Sequence, residues 1–230
     1  MTLDRRPLRD FIVEDILKRL QAGLLPVGSR VDEVALAAEL NVSRTPVREA
    51  LSLLAYEGIF EIRVGKGFWV APLEARDIEE SYHIIVALEE LALASVPHDD
   101  REDLARRLNT AADVMEGFMD SSAEAQEADD AWHRLLVEPA GNRRLEVVLE
   151  RIKQSIRRAE YQLMSSRAIV LRSVGQHRAI ADALALGDME RASDVLDHNW
   201  RDGLRETLQY LEPSACDSMV AFEALEPAKK

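Results

Sequence analysis

Hydrophobic residues recur at helical spacing in the first part of the chain. Three sets each fall on one face of a short helix: Phe11, Ile12, Ile16 and Leu20; Val34, Leu36, Ala37 and Leu40; and Val47, Ala50, Leu51 and Leu54. Gly58 then ends the third helix, and two apolar runs, residues 59–64 and 68–70, flank a glycine-rich turn at 65–67. The pattern predicts three helices and a β-hairpin, which is the plan of a winged helix-turn-helix.

From residue 77 onward the pattern stays helical and the β signal is weak. The predicted helices cover residues 77–95, 100–119, 123–138, 143–165, 169–186 and 189–211. Pro97, Pro139 and Gly187 mark breaks between some of them. No repeat of fixed length is visible, so we expect a mainly α protein whose second part is an all-helical bundle. Residues 213–230 lose the pattern and are predicted to form a flexible tail.

The charge is distributed unevenly along the chain. The 230 residues carry a net charge of −13, from 29 Lys and Arg against 42 Asp and Glu. Residues 1–75 hold 10 basic and 11 acidic residues, whereas residues 76–230 hold 19 and 31. The first part is therefore able to approach the phosphates of DNA, while the second part would be repelled by them.

The composition also limits the cellular locations expected for the protein. No apolar run approaches the length of a membrane span, and the N-terminus lacks the apolar core of a signal peptide, so no membrane partner is expected. The single cysteine, Cys216, excludes an internal disulfide and fits a reducing compartment. We expect a cytoplasmic protein.

The third predicted helix carries the chemistry of DNA recognition. Ser43 and Thr45 can each cap its N-terminus, and Pro46 in the first turn needs no partner for a backbone N–H. Arg44 and Arg48 are four residues apart and share a face away from the apolar stripe. Guanidinium groups placed there can bond guanine O6 and N7 or clamp phosphates. By itself, this pattern also fits a solvated helix with two incidental arginines.

The flanking segments favour DNA through a resemblance. Residues 8–72 resemble the DNA-binding domain of the GntR family of bacterial transcription factors. The matching elements are Leu24-Leu-Pro-Val-Gly28, Leu36-Ala-Ala-Glu-Leu-Asn-Val-Ser-Arg-Thr-Pro-Val-Arg-Glu-Ala-Leu51, Leu54-Ala-Tyr-Glu-Gly58 and Gly65-Lys-Gly67. The resemblance implies DNA contacts at six positions: Ser43, Arg44, Thr45, Arg48, Gly65 and Lys66. Some members add an arginine in the second helix, where this chain has Val34, so that contact is expected to be absent.

The second part contains polar residues that a plain bundle does not need. Asp129 and His133 are four residues apart, so a carboxylate and an imidazole project from one helical face. His177 lies in a later helix, and His and carboxylate ligands that converge from facing helices are what a metal site in a bundle requires. Asp–His pairs at this spacing are also common surface features, so the residues alone leave both interpretations open.

Residues 78–211 resemble the all-helical effector domain of the FadR-type GntR subgroup, called FCD. The matching elements are Asp129/Trp132/His133, Gly141-Asn142, His177 and residues 183–192. The resemblance implies a divalent metal, Zn or Ni, held by one Asp and three His, and Asp129, His133 and His177 match three of these. The fourth position falls on Asn199, while His198 lies one residue early, about 100° around the helix. Because an amide is a poorer ligand than imidazole, we expect a weakened or absent site.

A second departure concerns the effector. The resemblance implies an Arg-x-x-x-Glu pair on the first FCD helix, whose Arg often contacts the effector. Glu89 matches the Glu, but the Arg position holds Ile85, which removes a bidentate clamp for a carboxylate. His83, Arg134 and Arg172 are the alternative effector-binding candidates. The implied effector is a small molecule, an organic acid or a related metabolite.

These observations support three functions. The first is a homodimeric transcriptional regulator, a repressor, with a winged helix-turn-helix domain over residues 1–72, an FCD-type effector and dimerisation domain over 73–212, and a tail over 213–230. Its two recognition helices would read the half-sites of an operator on double-stranded DNA. The second is a metal-dependent hydrolase that uses the same cluster, for which no neighbouring general base is visible. The third is an interaction protein whose bundle has lost its ligand.

Overall fold

The computed structural model describes residues 7–72 and 74–211 of the chain. Within these residues the elements follow in this order: α1 (Leu8–Gln21), α2 (Glu33–Glu39), α3 (Arg44–Tyr56), β1 (Phe60–Arg63), β2 (Gly67–Val70), α4 (Ala75–Ala94), α5 (Arg101–Gly117), α6 (Ser122–Val137), α7 (Arg143–Leu163), α8 (Arg167–Ala185) and α9 (Met189–Leu211). The predicted fold class is confirmed: three helices and a hairpin precede an all-helical part. The predicted tail over 213–230 lies outside the described residues.

The chain divides into two compact units. The first comprises the residues up to Glu74 together with Asn142–Gln162, and the second comprises Ala75–Gly141 and the residues from Leu163. This division assigns α7 almost entirely to the first unit, whereas the sequence pattern grouped it with the other helices of the second part. The predicted domain boundaries, 1–72, 73–212 and 213–230, stay a prediction.

The first three helices pack around one apolar core. The apolar stripe that the periodicity predicted for α3 is fully excluded from solvent: Val47, Ala50, Leu51 and Leu54. Ile12 and Ile16 of α1 belong to the same buried cluster. Between α2 and α3 the chain turns at Asn41, whose φ of 53° lies in the left-handed region that asparagine tolerates. Burial of the stripe leaves the opposite face of α3, which bears the arginines, for solvent.

The hairpin is attached to this core by its apolar side chains. β1 and β2 pair antiparallel with Phe60 opposite Val70, and both of these residues are buried together with Phe68. The backbone N–H of Val31 donates to the carbonyl oxygen of Phe68 at 2.9 Å. The segment before α2 therefore extends the sheet, a pairing that the hydrophobic pattern did not predict.

Apart from α7, the helices of the predicted bundle, α4, α5, α6, α8 and α9, lie in the second unit. α5 packs on α6 and α8, α8 on α9, and α4 on α9. Buried polar contacts join these pairs: the hydroxyls of Tyr82 and Thr207 lie 2.9 Å apart between α4 and α9, and Trp132 Nε1–H of α6 donates to the carbonyl oxygen of Leu108 of α5 at 3.1 Å. The limits of α4 to α9 lie within two residues of the predicted ones. None of the described helices is both long and apolar enough to cross a membrane.

The N-termini of the two central helices of the first unit are capped differently. Asp32 precedes α2, and its carboxylate accepts from the N–H groups of Val34 and Ala35 at 2.9 and 3.0 Å. These two hydrogen bonds hold the pKa of Asp32 below its ordinary value of 3.8, and the bond from Ala35 has the larger effect. Ser43 occupies the N-cap position of α3 with an extended backbone, but its hydroxyl makes no capping hydrogen bond. Thr45 lies inside the helix, so the predicted hydroxyl cap of α3 is wrong.

Replacing Asp32 by Ala is expected to lower the melting temperature at neutral pH, because two N–H groups of α2 lose their acceptor. The pKa of Asp32 is lower in the folded state, so the carboxylate stabilises the fold fully above about pH 4 and loses this effect as pH falls through the folded pKa. Thermal melting across this range should show the deficit of the variant shrinking at acid pH. Asp32→Asn, which keeps a neutral acceptor, should show a smaller deficit. A deficit for Asp32→Ala that is independent of pH would contradict the assignment.

Candidate DNA-recognition surface and metal centre

The predicted DNA-contacting residues of α3 lie together on its exposed N-terminal half. Ser43, Arg44, Thr45 and Arg48 are all exposed, while Val47 between them is fully buried. An open groove of about 720 Å³ lies beside them and is lined by Arg9, Arg44, Thr45, Arg48, Glu49 and Ser52. Arg9 comes from α1 and was not predicted. The groove thus combines three guanidinium groups from two helices of the first unit.

A carboxylate on α2 lies beside the second arginine of α3. Arg48 Nε is 3.8 Å from Glu33 Oε2, and the side chain of Glu33 is only 11% exposed against 63% for Arg48. Glu33 therefore attracts the guanidinium while most of that group stays accessible. The next residue, Val34, is 56% exposed. Some family members have an arginine at this position, whereas this chain exposes an apolar side chain there.

The hairpin presents its turn to solvent. Gly65 and Lys66 are both exposed, and the N–H of Lys66 donates to the carbonyl oxygen of Arg63 at 2.8 Å. Gly65 and Gly67 have φ of 72° and 82°, which only glycine adopts without strain. The guanidinium of Arg63 lies 4.3 Å from the ring centroid of Trp69. The turn therefore offers a free ammonium group and exposed backbone at its tip.

Three predicted metal ligands converge in the second unit. Asp129 and His133 of α6 and His177 of α8 each place a ligand atom within 4.8 Å of the others. The Asp129 carboxylate oxygens lie 3.9 Å from His133 Nε2 and 3.6 Å from His177 Nε2. Both histidines are buried, and the side chain of Asp129 is only 13% exposed.

These separations suit a shared divalent ion. With bonds of about 2.1 Å, two ligand atoms lie about 3.0 Å apart at right angles around an ion and about 4.2 Å apart when opposite. The measured separations, 3.9 Å from Asp129 Oδ2 to His133 Nε2 and 3.6 Å from Asp129 Oδ1 to His177 Nε2, both fall between these limits. Two imidazoles and a carboxylate also form a donor set that Zn and Ni accept. The residues present therefore fit the metal that the resemblance implies.

The structure distinguishes the two candidates for the fourth position. His198 is exposed, and its Nδ1 lies 2.6 Å from the carbonyl oxygen of Asp194 in its own helix. Asn199 is buried, and its amide nitrogen donates to Gln176 Oε1 at 3.0 Å and to Ser173 Oγ at 3.4 Å. Ser173 Oγ in turn lies 3.3 Å from Asp129 Oδ1. Asn199 is thus connected to the cluster through one hydroxyl, and His198 faces away from it.

Buried partners hold both histidine rings. Glu89 Oε2 accepts from His133 Nδ1 at 2.8 Å and from Trp200 Nε1 at 2.9 Å, and Glu89 is fully buried. Because a carboxylate only accepts, Nδ1 carries the hydrogen and Nε2 keeps its lone pair for a metal. The ring of Trp132 stacks on that of His177, with the ring centroids 3.8 Å apart and an angle of 3° between the ring planes. Trp200 and Ser173 carry no sequence motif, so no sequence signal identified them.

The effector candidates are dispersed. His83 and Arg134 are exposed and do not belong to the buried cluster. Arg172 is half-buried, and its guanidinium donates to both carboxylate oxygens of Glu206. This bonding holds the pKa of Arg172 above its ordinary value. Ile85, at the position of the missing arginine, is fully buried.

Two family models together match most of the chain. The model for bacterial regulatory proteins of the gntR family matches residues 8–70, and the model for the FCD domain matches residues 80–202. The chain belongs to the GntR family, in its FCD subgroup. This GntR-family protein is 35% identical over 196 residues to a probable D-xylose utilization operon transcriptional repressor from Paenarthrobacter nicotinovorans, covering 84% of the chain and 83% of the relative.

Other regulators are also similar to this protein in sequence or fold. It is 35% identical over 174 residues to the Nta operon transcriptional regulator of Aminobacter aminovorans, covering 74% of this chain and 81% of that protein. Its fold matches a GntR transcriptional regulator from Rhodococcus sp. RHA1 with a TM-score of 0.75, at 22% identity, covering 87% and 97% of the two chains. The protein is therefore a transcriptional regulator, and the hydrolase alternative is not favoured.

Replacing Glu89 by Leu is expected to lower the free energy of unfolding by about 1–3 kcal/mol, because the N–H groups of His133 and Trp200 lose their acceptor inside the bundle. Urea denaturation measures this difference. Glu80→Leu, in which an exposed carboxylate of the same helix is replaced, should remain near the wild type. Equal stability of Glu89→Leu and wild type would show that Glu89 does not hold these helices together.

Proposed function

We propose that this GntR-family regulator is a homodimeric repressor that releases its operator when a small organic acid or related metabolite binds in the second unit. DNA binding is supported by the N-terminal half of α3. There Arg44 and Arg48 are exposed, while the apolar stripe of the same helix is fully buried. Relatives named as repressors of a D-xylose utilization operon and of a gluconate operon support repression over activation. A regulator acts where the DNA is, and the proposed location is the cytoplasm.

The proposed contacts divide by chemistry. Arg44 and Arg48 read base edges in the major groove, where a guanidinium bonds guanine bidentately. Ser43 and Thr45 bind phosphate oxygens near the start of α3, and Gly65 and Lys66 contact the DNA backbone beside the groove. Two copies of α3 in a dimer then match two half-sites, so operator symmetry follows protein symmetry.

Effector control requires two dimer arrangements with different operator affinity. A ligand shifts the balance between them only by as much as its affinity differs between the two. The effector then binds at the cluster of Asp129, His133 and His177, because these polar side chains, two of them buried, converge from two helices of the second unit. Effector binding there favours an arrangement of the dimer in which the two α3 helices no longer fit the half-sites.

The proposal includes a divalent ion, Zn or Ni, held by Asp129, His133 and His177, with Asn199 as the fourth candidate. When bound, the ion supplies positive charge and open positions for oxygen atoms of the effector. Glu89 orients His133 through Nδ1, and Trp132 orients His177 by stacking. These contacts keep the ligand nitrogens directed at Asp129 before any ion enters.

Arg48→Ala is expected to abolish the specific operator complex, because each half-site loses about 1–3 kcal/mol of base recognition. An operator fragment selected from random DNA by the wild-type protein, followed by gel-shift titration, measures the effect. Arg76→Ala removes an exposed arginine of α4 and should leave binding unchanged. Lys66→Ala should weaken operator and random DNA alike and reduce the salt dependence of binding. Specific binding retained by Arg48→Ala would remove that residue from the proposed contacts.

Asn199→His is expected to raise the affinity for Zn and Ni, because imidazole is the better ligand for these ions. Metal titration followed by thermal melting measures affinity and the stabilisation that a bound ion contributes. His198→Ala should bind metal as the wild type does, since His198 faces solvent, whereas Asp129→Ala should lose binding. Wild-type protein that neither contains a divalent ion nor gains stability from Zn or Ni would contradict the metal part of the proposal. It would leave the operator contacts untouched.

A further inference from the structure

Gln126 is a buried polar residue whose amide is not used by the fold. Its side chain is 2% exposed. Among the described residues, neither Oε1 nor Nε2 has a hydrogen-bond partner. Buried amides without partners are costly, and most buried polar groups in proteins are bonded. Packing alone would be served better by Leu or Met at this position.

The position of Gln126 connects it to the cluster. It precedes Asp129 by three residues and His133 by seven on α6, a spacing that places all three on one face of the helix. Helical side chains tilt toward the N-terminus of the helix, so the Asp129 carboxylate leans over the turn that bears Gln126. Gln126 therefore shares the face of α6 that bears two residues of the cluster, Asp129 and His133.

This inference rests on the proposed effector site. We propose that Gln126 is an effector-binding residue and that it recognises a hydroxyl group, so that the ligand is a small hydroxy acid or another hydroxylated compound. No sequence motif selects Gln126, and neither the resemblance nor the effector candidates above include it.

The chemistry of the amide selects the hydroxyl. Oε1 needs a donor and Nε2–H needs an acceptor, so a ligand that offers both satisfies the whole amide. A carboxylate only accepts and would leave Oε1 without a partner in the interior. A hydroxy acid satisfies both atoms, because its hydroxyl donates to Oε1 and its carboxylate accepts from Nε2. The same pair of bonds forms with two hydroxyls of a polyol.

Matched ligands that differ only in the hydroxyl provide the test. Full-length protein loaded with Zn or Ni is titrated with lactate against propionate, malate against succinate, and gluconate and D-xylose as polyhydroxylated probes. Thermal melting and calorimetry report binding, and release of the selected operator reports function. We expect a hydroxylated probe to bind and its hydroxyl-free counterpart to bind at least about tenfold more weakly.

Gln126→Met removes the amide at nearly constant volume. It should melt at or above the wild-type temperature without ligand, because a buried amide without partners is lost. It should bind the active probe roughly tenfold to hundredfold more weakly. Gln209→Met, which changes an exposed glutamine of α9, should match the wild type in both measurements.

Three outcomes overturn the inference: no binding of any hydroxylated probe, equal binding of each matched pair, or equal binding by Gln126→Met and wild type. The last result is also what an amide that only holds a structural water would give. Failure of the proposed function is separate, since it shows as absence of specific operator binding by ligand-free wild-type protein. Operator binding that responds to a probe equally in both proteins would remove Gln126 alone.

Discussion

The arrangement of the second unit depends on one buried carboxylate. Glu89 of α4 accepts from His133 of α6 and from Trp200 of α9 through the same oxygen. Removing a carboxylate from water costs several kcal/mol, and only well-placed donors offset this cost. Two donors from two different helices can be in place only if α4, α6 and α9 lie at one relative position. The interaction that orients His133, a candidate metal ligand, is therefore also one that joins three helices.

The recognition helix is organised by the opposite kind of interaction. The apolar stripe of α3, formed by Val47, Ala50, Leu51 and Leu54, is fully buried, while Arg44 and Arg48 stay exposed. Arg48 has one attraction, to Glu33 at 3.8 Å, and stays mostly exposed. DNA phosphates and bases can thus compete for it at little cost, because the guanidinium is mostly in water and lies 3.8 Å from the carboxylate, beyond hydrogen-bond distance. Apolar burial positions α3, whereas a buried carboxylate positions the helices around Asp129, His133 and His177.

Sequence periodicity predicted most of the fold because the helices are amphipathic and the information is local. Repeats at i, i+3 and i+4 located α4 to α9 to within two residues, and the glycines at 65 and 67 located the hairpin turn. The bridge between Arg30 and Trp69, which includes the hydrogen bond from Val31 to Phe68, was missed because it joins distant residues without a local pattern. For the site, Asp129, His133 and His177 were found from spacing and resemblance, and the structure brings them together. Ser173, Trp200 and Gln126 became visible only when burial and partners were known.

The choice between His198 and Asn199 shows what the surrounding network contributes. Both hydrogen bonds of Asn199 use its amide nitrogen, one to Gln176 and one to Ser173, so its oxygen is the atom that can serve as a ligand. Gln176 also donates to Asp202 at 2.8 Å. Burial raises the pKa of Asp202, but the hydrogen bonds from Gln176 and Arg205 outweigh it and hold the pKa below its ordinary value.

The amide nitrogen of Asn199 is therefore fixed by a chain of side chains that ends at a charged carboxylate. That chain fixes the side-chain amide of Asn199, as Glu89 fixes the imidazole ring of His133. An amide oxygen makes the donor set harder than three imidazoles and a carboxylate would be, since oxygen ligands favour ions such as Mn and Mg. If the proposed ion is bound with Asn199 as a ligand, Zn and Ni would lose part of their usual advantage there. Metal preference would then depend on Asn199, a residue outside the three that match the ligands implied by the family resemblance.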